Sequence, residues 1–231
     1  MNLDNLKLMA RAIMPKAKLN TIDNELLELI LNNGAKDVAS KSLCLPANAT
    51  FDSTADTYTS DYNLNTVISR YLTMDRAGLW YRESTSSQYK RLFPKTIEWM
   101  DKHYPTWRDV SASDPTHYLV DKNKITVYPG TDTVIINAFK IYFYQLPTDM
   151  TDGSHYPFGN TSELTHLQPL SDAVLAYWEW RAAKILGESE QVIVAKEAEY
   201  GRILSAKIVE VNRRLDVGYD KHAKLQGRII R

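Results

Sequence analysis

The sequence predicts an α+β fold: a helical bundle with an inserted antiparallel β-rich domain and an extended basic C-terminal tail. Residues 116–145 contain three runs of β-branched and aromatic residues, which are separated by the turn-forming segments Asp-Lys-Asn and Pro-Gly-Thr-Asp. A helical pattern precedes these runs over residues 23–42, and two more follow over residues 170–214. Strands grouped between helices favour an α+β class over an alternating α/β class.

The same patterns divide the chain into five segments. The predicted segments are residues 1–46 (an N-terminal arm and the first bundle helix), 47–150 (the β-rich domain), 151–169 (a long loop), 170–214 (a helical hairpin) and 215–231 (the tail).

Two helices are predicted in the first segment. Pro15 ends a short helical stripe in the arm. The main helix should begin near Asp23, with Thr21 or Asn20 as its cap, and Pro46 forces its stop. The apolar positions that indicate these helices are Leu3, Leu6, Met9, Ala10 and Ile13 in the first, and Ile22, Leu26, Leu29, Ile30 and Val38 in the second.

Strand patterns begin after Pro46. We expect short strands around residues 50–52 and 57–59. Residues 66–74 and 79–82 then predict a hairpin, and the glycine between them would supply the positive φ of its turn.

A short helix and a three-stranded meander follow. Pro94 can open a helix that runs to about His103. Beyond it, the three runs of residues 116–145 predict consecutive antiparallel strands, and the third run is the most apolar, as a central strand would be.

The C-terminal third predicts a loop and then a helical hairpin. A connection as long as residues 151–169 is functional, mobile or a partner contact. Ser171 or Asp172 should cap the next helix, which Gly187 ends, and the last helix should run to about Arg214. Two helices joined by so few residues must be antiparallel, and the helix at residues 23–42 is expected to complete a bundle with them.

The tail is basic and carries an apolar pair near its end. From residue 202 onward there are eight basic and three acidic residues. Ile229 and Ile230 precede the final Arg231, and docking into a partner would explain such a pair on a basic tail. A frayed terminus is the alternative interpretation.

Composition excludes several classes of protein. The chain has 28 basic and 28 acidic residues, and this balance argues against a dedicated nucleic-acid or membrane-surface protein. The single cysteine, Cys44, excludes an intrachain disulfide, and its apolar neighbours favour a small buried hydrophobe over a nucleophile. We expect a soluble protein without a signal peptide or a membrane-spanning run.

No pattern of catalytic, cofactor-binding or metal-binding residues stands out. Phosphate-binding glycine loops and a nucleophile elbow are missing from the sequence. His155 and His166 with Asp152 are a weak match to a zinc site. We therefore expect no cofactor and a binding or structural protein rather than an enzyme. Core packing is the expected role of Trp99, Trp107, Trp178 and Trp180.

The order of several motifs resembles a known family. The early helix TIDNELLELILNNGAKDVAS exits through Leu-Cys-Leu-Pro, and a short helix ends in HYPTWRD. The segments ITVYPGTDT and KIYFYQLPTDM come next, followed by a pair of helices. Over residues 20–212 this order is similar to the tailed-bacteriophage head-to-tail connector family, also called portal adaptor or head-completion proteins.

The resemblance implies a structural protein of the virion neck, made in the host cytoplasm. Its copies, about twelve, would form a ring beneath the portal protein, with DNA passing through the lumen without sequence specificity. The helical bundle would form the ring wall, the tail would extend along the portal, and the β-rich domain would meet tail or neck proteins.

Residue types suggest roles within that arrangement. The expected portal-binding residues are Tyr219, Lys221, Lys224, Arg228, Ile229, Ile230 and Arg231. Lys207, Arg213 and Arg214 are expected at a subunit interface or in the lumen, and Tyr81, Tyr142 and Tyr144 at contacts on the tail side.

Two other functions remain open. A tail terminator or decoration protein would share the virion setting, but such proteins are mostly β, and the helical pair at residues 170–212 weighs against them. An enzyme acting on carbohydrate or nucleic acid would need a catalytic constellation, such as carboxylates with perturbed pKa values in a cleft.

Overall fold

The computed structural model of the chain describes residues 1–13, 21–56 and 58–218, with side chains to residue 214. It divides into two compact units, which we call the helical unit (residues 1–44 and 147–218) and the β unit (residues 45–146). Helices and two sheets confirm the predicted α+β class.

The helical unit is formed by the two ends of the chain. Its helices are α1 (Leu3–Ile13) and α2 (Asn24–Ser42) from the N-terminal part, and α5 (Leu170–Ile185) and α6 (Glu190–Gly218) from the C-terminal part. Helix α5 packs against the other three, and its Trp178 is only 1% exposed. The predicted hairpin of the last two helices is therefore part of a bundle that also includes α2.

Capping differs from the prediction in both parts of this bundle. Asp23, rather than Thr21, caps α2, and its Oδ1 accepts from the Leu26 amide at 2.7 Å; Asn20 lies outside the described residues. Helix α5 begins directly after Pro169, so the predicted caps Ser171 and Asp172 lie inside it. A helix can start on a proline because its first amide needs no intrahelical partner.

The buried faces also differ from those predicted. The buried face of α2 is shifted by about one residue from the predicted face, and Leu29 is therefore exposed. The shift arises because α5 packs against the side of α2 that carries small residues such as Gly34. Met9 and Ile13 of α1 are exposed, so only part of the apolar stripe that indicated this helix is buried. The buried residues of α2 are Leu27, Ile30, Leu31, Gly34, Ala35, Val38 and Ala39.

Two glycines mark the ends of the C-terminal helices. Gly187 has φ +66°, a conformation that favours glycine, and ends α5 as predicted. Helix α6 continues beyond Arg214 to Gly218, four residues past the predicted end.

The long loop and the residue just before it are fastened to α1 and α2. The amides of Leu3 and Asp4 donate to the carbonyls of His155 (2.8 Å) and Gly153 (3.1 Å). Asn32 of α2 accepts from the Met150 amide at 2.8 Å and donates to its carbonyl at 3.2 Å. These bonds supply partners to backbone amides and carbonyls of the loop and of the start of α1, which no regular helix or strand ladder pairs.

The β unit contains two four-stranded sheets. Its strands are β1 (Pro46–Phe51), β2 (Ser60–Asn63), β3 (Tyr71–Tyr81), β4 (Lys90–Arg91), β5 (Phe93–Pro94), β6 (His117–Asp121), β7 (Lys124–Tyr128) and β8 (Phe139–Gln145), and its helices are α3 (Leu64–Val67) and α4 (Ile97–His103). The first sheet has the order β1-β8-β3-β4, and the second has the order β2-β7-β6-β5. Phe139, which is 0% exposed, lies at the centre of the core.

The predicted meander is wrong in its third strand. Strands β6 and β7 pair as an antiparallel hairpin, but β8 pairs with β1 and β3 in the other sheet. The connecting residues 129–138, which we call the knob loop, carry the chain between the sheets. Its Val134 and Ile136, predicted as strand residues, are exposed.

The predicted hairpin at residues 66–82 is also wrong. Residues 64–67 form α3, and β3 runs without reversal from Tyr71 to Tyr81. Between Met74 and Leu79 the register against β8 shifts, so four residues oppose one. Gly78 has the expected positive φ of +69°, but it serves this bulge rather than a turn.

The remaining short elements are close to their predicted places. Strands β1 and β2 lie a few residues from the expected positions at 50–52 and 57–59. Helix α4 is present, but Thr96 caps it, with its Oγ1 accepting from the Trp99 amide at 3.2 Å. Pro94 lies in β5 instead.

Candidate interaction surfaces

A network of opposite charges joins α5 to α6. Lys207 Nζ lies 2.7 Å from Asp172 and 3.4 Å from Glu210, and Arg214 contacts the same glutamate at 2.6 Å. The hydrogen bond to Asp172 is the main cause of a raised pKa at Lys207. Helical spacing brings residues 207, 210 and 214 to one face. Two of the three cations predicted at a subunit interface or in the lumen are therefore paired within their own unit.

Arg213 differs from its two neighbours. Its side chain is exposed, and its position one residue before Arg214 turns it away from the face that carries Lys207 and Arg214. It is thus the predicted lumen residue best placed to meet an outside partner.

The predicted tail-side tyrosines do not share one environment. Tyr142 and Tyr144 alternate along β8 and are half-buried, whereas Tyr81 is 4% exposed. The Tyr81 ring packs 5.3 Å from that of Phe139, and its hydroxyl donates to Asp114 at 3.3 Å. Burial, followed by Asp114, raises the pKa of Tyr81. Tyr81 is a core residue and cannot offer its ring to a partner.

Tyr142 and Tyr144 lie on the outer face of the first sheet with other side chains suited to contacts. The Trp80 ring meets that of Tyr142 edge-on at 6.4 Å, and Lys140 lies 5.1 Å from the centre of the Tyr142 ring. Burial and a hydrogen bond to Asp75 raise the pKa of Tyr144. Aromatic rings with polar tips are typical of protein interfaces.

A second aromatic cluster was not predicted as a surface. Trp99 of α4 stacks on His103 (4.3 Å between ring centres) and lies near Tyr104 and His117. Lys95 Nζ lies 3.8 Å from the centre of the Trp99 ring. Burial and Lys95 lower the pKa of His117, so this side chain is neutral near pH 7. The i, i+4 spacing of residues 99 and 103 was the available signal.

The tryptophans divide between core and surface. Trp107 and Trp178 are buried, in agreement with the predicted packing role. Trp99 and Trp180 are half-buried. Trp180 stacks on Tyr200 with ring centres 5.9 Å apart, and Tyr177 meets the same ring edge-on at 5.5 Å.

The described residues add little that points to chemistry. Within residues 1–13, 21–56 and 58–218 there is no group of three or more metal-ligating side chains. No helix in this part of the chain is long and apolar enough to cross a membrane. Burial raises the pKa of Cys44 to about 11, which keeps its thiol protonated. The seven predicted portal-binding residues, from Tyr219 to Arg231, lie outside the described residues.

The comparison with protein families decides the identity. The model of the family described as SU10 adaptor protein matches residues 1–220. The chain belongs to the SU10 adaptor protein family. This confirms the predicted membership of a phage head-to-tail adaptor family. No curated protein matches the chain.

Membership of the SU10 adaptor family sets the general role of the protein. It is a phage structural adaptor, a component of the virion that interacts with other phage head or tail proteins. The family is one of structural proteins and is not a known enzyme family.

Proposed function

We propose that this SU10 adaptor forms a ring of about twelve copies between the portal and the tail, with DNA passing through its lumen. The observation that carries the proposal is the family match over residues 1–220. The neck of the virion is where an adaptor between head and tail would act, and a ring is the arrangement that leaves a passage for DNA.

The paired charges on α6 suit a lumen that lets DNA pass. Free cations bind phosphates strongly, and each neutralised phosphate adds to an affinity that would retain DNA. Lys207 and Arg214 are held by Asp172 and Glu210, so their attraction to phosphates is reduced. We propose that this face of α6 lines the lumen or meets a neighbouring copy, and that Arg213, which projects from a different face of the helix, takes the other of these two roles.

Helix α6 would deliver the C-terminal segment to the portal. It runs unbroken from Glu190 to Gly218, immediately before residues 219–231. In that segment, Ile229 and Ile230 would be buried against the portal while Arg228 and Arg231 meet acidic groups. The tail side of the ring would be the β unit, where Tyr142 and Tyr144 remain the proposed contacts.

Light scattering of the protein alone and mixed with its portal protein tests the ring. We expect the portal to take up adaptor in about the portal's own copy number. A small oligomer that ignores the portal would contradict the proposal.

Variants of the C-terminal segment test the docking role. Removal of residues 219–231 should abolish uptake by the portal, with the circular dichroism of the rest unchanged. The pair Ile229→Ser and Ile230→Ser separates apolar burial from charge when compared with Arg228→Gln and Arg231→Gln. Binding by a truncated protein at the normal copy number would exclude this segment as the anchor.

A further inference from the structure

The outer face of the first sheet carries a cation on each side of a tryptophan. Trp80 pairs in register with Lys140 of β8 on one side and with Arg91 of β4 on the other. Residues paired across antiparallel strands have side chains on the same face, so these three form one row across the sheet. The chain neighbours of Trp80, Leu79 and Tyr81, are buried in the core, which places the row on the outer face.

A third cation lies beside this row, at the bulge of β3. Arg76 is exposed, and its carbonyl accepts from Arg91 Nη2 at 2.5 Å. Burial raises the pKa of Tyr144, and the charge of Arg76 partly opposes that rise, so Arg76 lies near this tyrosine of the outer face. The neighbouring carboxylate of Asp75 is already engaged, because it accepts from the Ala77 amide at 2.8 Å and is hydrogen-bonded to Tyr144.

The three cations lack carboxylate partners of their own. Within the part of the chain that the structure describes, Lys140, Arg91 and Arg76 form no ion pair, whereas Lys90, next to Arg91 in β4, pairs with Glu83. Lys140 and Arg91 are half-buried, so both are held close to the sheet. Surfaces that associate are arranged so that opposite charges meet, and this one is complementary to carboxylates.

The aromatic rings of the face favour a protein over a nucleic acid as the partner. Bases of a single strand stack on open, flat ring surfaces. Here the Trp80 and Tyr142 rings are inclined at 67° to each other, and Lys140 Nζ lies 5.1 Å from the centre of the Tyr142 ring. These rings offer no flat platform for bases, whereas Trp, Tyr and Arg side chains together are typical of the strongest contacts between proteins.

We propose that the outer face of the first sheet binds an acidic surface of a tail or neck protein. Carboxylates of the partner meet Lys140, Arg91 and Arg76, and the Trp80 and Tyr142 rings supply apolar area between them. Opposite charges speed the encounter of the two surfaces and fix their orientation. This inference rests on the ring proposed above, and it gives the chemistry of the partner on the tail side of that ring.

Zero-length cross-linking in purified virions tests the contact. A carbodiimide joins a lysine amine directly to a carboxylate that it touches. We expect an amide between Lys140 and an aspartate or glutamate of a tail or neck protein, identified by mass spectrometry of the digested product. Lys140→Arg is the matched control: it keeps the positive charge but has no amine to couple, so its virions should assemble normally and lack this cross-link.

Other cross-linking results would exclude the proposed partner. A bond from Lys140 to the portal protein or to any residue of the adaptor itself, or no bond in virions with a complete neck, would overturn the inference and leave the ring standing. Failure of the wild-type adaptor to join the portal in the light-scattering experiment would instead contradict the ring.

Charge variants test the same contact without a cross-linker. Phage heads that carry the double variant Lys140→Gln with Arg91→Gln are mixed with purified tails, and the rate of joining is measured. We expect the rate to fall on the order of tenfold and to depend less on salt than the wild-type rate, because the opposite charges no longer meet. Lys102→Gln with Lys122→Gln removes the same charge from exposed positions elsewhere in the β unit and should leave joining unchanged.

Two results of this experiment would contradict the proposal. One is equal joining by both double variants and the wild-type protein. The other is normal joining by the Lys140 and Arg91 variant together with lost binding of a single-stranded oligothymidylate, which would assign the face to nucleic acid. Circular dichroism and the unfolding midpoint of each variant separate these results from a loss of fold.

Discussion

Both units contain a cluster of aromatic rings, but the two clusters are built differently. In the β unit, Phe139 lies within 5.3 Å of the rings of Phe51, Tyr62 and Tyr81 and is fully buried. In the helical unit, the rings of Trp180 and Tyr177 pack against a phenol that is hydrogen-bonded to a carboxylate. The β unit thus gains stability mainly from apolar burial, and this part of the helical unit also depends on a directional polar contact.

The phenol in question belongs to Tyr200. Its hydroxyl donates to Asp37 of α2, which also pairs with Lys41 at 2.8 Å. Burial, followed by the contact with Asp37, raises the pKa of Tyr200. The bond therefore fixes the position of α6 against α2 as well as burying the ring.

The largest expected effect is at the centre of the β unit. Phe139→Ala removes a ring that three others contact, and we expect a loss of about 3–5 kcal/mol in the free energy of unfolding. Chemical denaturation measures this loss. Val134→Ala, in the same unit but 65% exposed, is the control and should change the stability little. Equal effects of the two changes would mean that the ring cluster is not the core.

A smaller effect is expected from the polar contact of the helical unit. Tyr200→Phe keeps the ring but leaves Asp37 without one of its partners, which should cost about 1.5 kcal/mol because Lys41 still pairs with the carboxylate. Tyr177→Phe, in the same cluster, is the matched control. The difference should disappear in an Asp37→Asn background if the hydrogen bond is its source, as a double-mutant cycle would measure.

The smallest effect is expected on the surface. Lys207→Met breaks contacts with Asp172 and Glu210, and we expect a loss of about 0.5–1 kcal/mol that shrinks at high salt. Arg213→Met should leave the stability unchanged, since its side chain is exposed. A loss for Lys207→Met that does not respond to salt would show that packing of its aliphatic stem, rather than charge, is responsible.

Local signals in the sequence located the helices well. Helical spacing and Gly187 placed α5 and α6, and the turn residues Asp-Lys-Asn placed the β6–β7 hairpin. Caps were less reliable, because Thr21, Asn20 and Asp23 are all suitable capping residues and only the backbone geometry decides among them.

Strand pairing could not be predicted in the same way. The alternation along β8 indicates a strand but does not identify its partners, β1 and β3, which lie more than fifty residues earlier. A positive φ at Gly78 suits a bulge as well as a turn. The interaction surfaces depend on such distant pairings, and so the exposure of Trp99 and Val134 and the burial of Tyr81 were not evident from the sequence.

The pairing between the first and last residues of the β unit has a consequence for how the chain folds during synthesis. Pro46 pairs with Tyr144, and the Gln145 amide donates to the Leu45 carbonyl at 3.0 Å, so the two ends of this unit are held side by side. The β unit is complete before α5 and α6 leave the ribosome, and domains generally fold as they emerge. Once folded, it shortens the connection between α2 and α5 from 127 residues (43–169) to about 27, which lowers the entropic cost of joining these helices by about 1.4 kcal/mol.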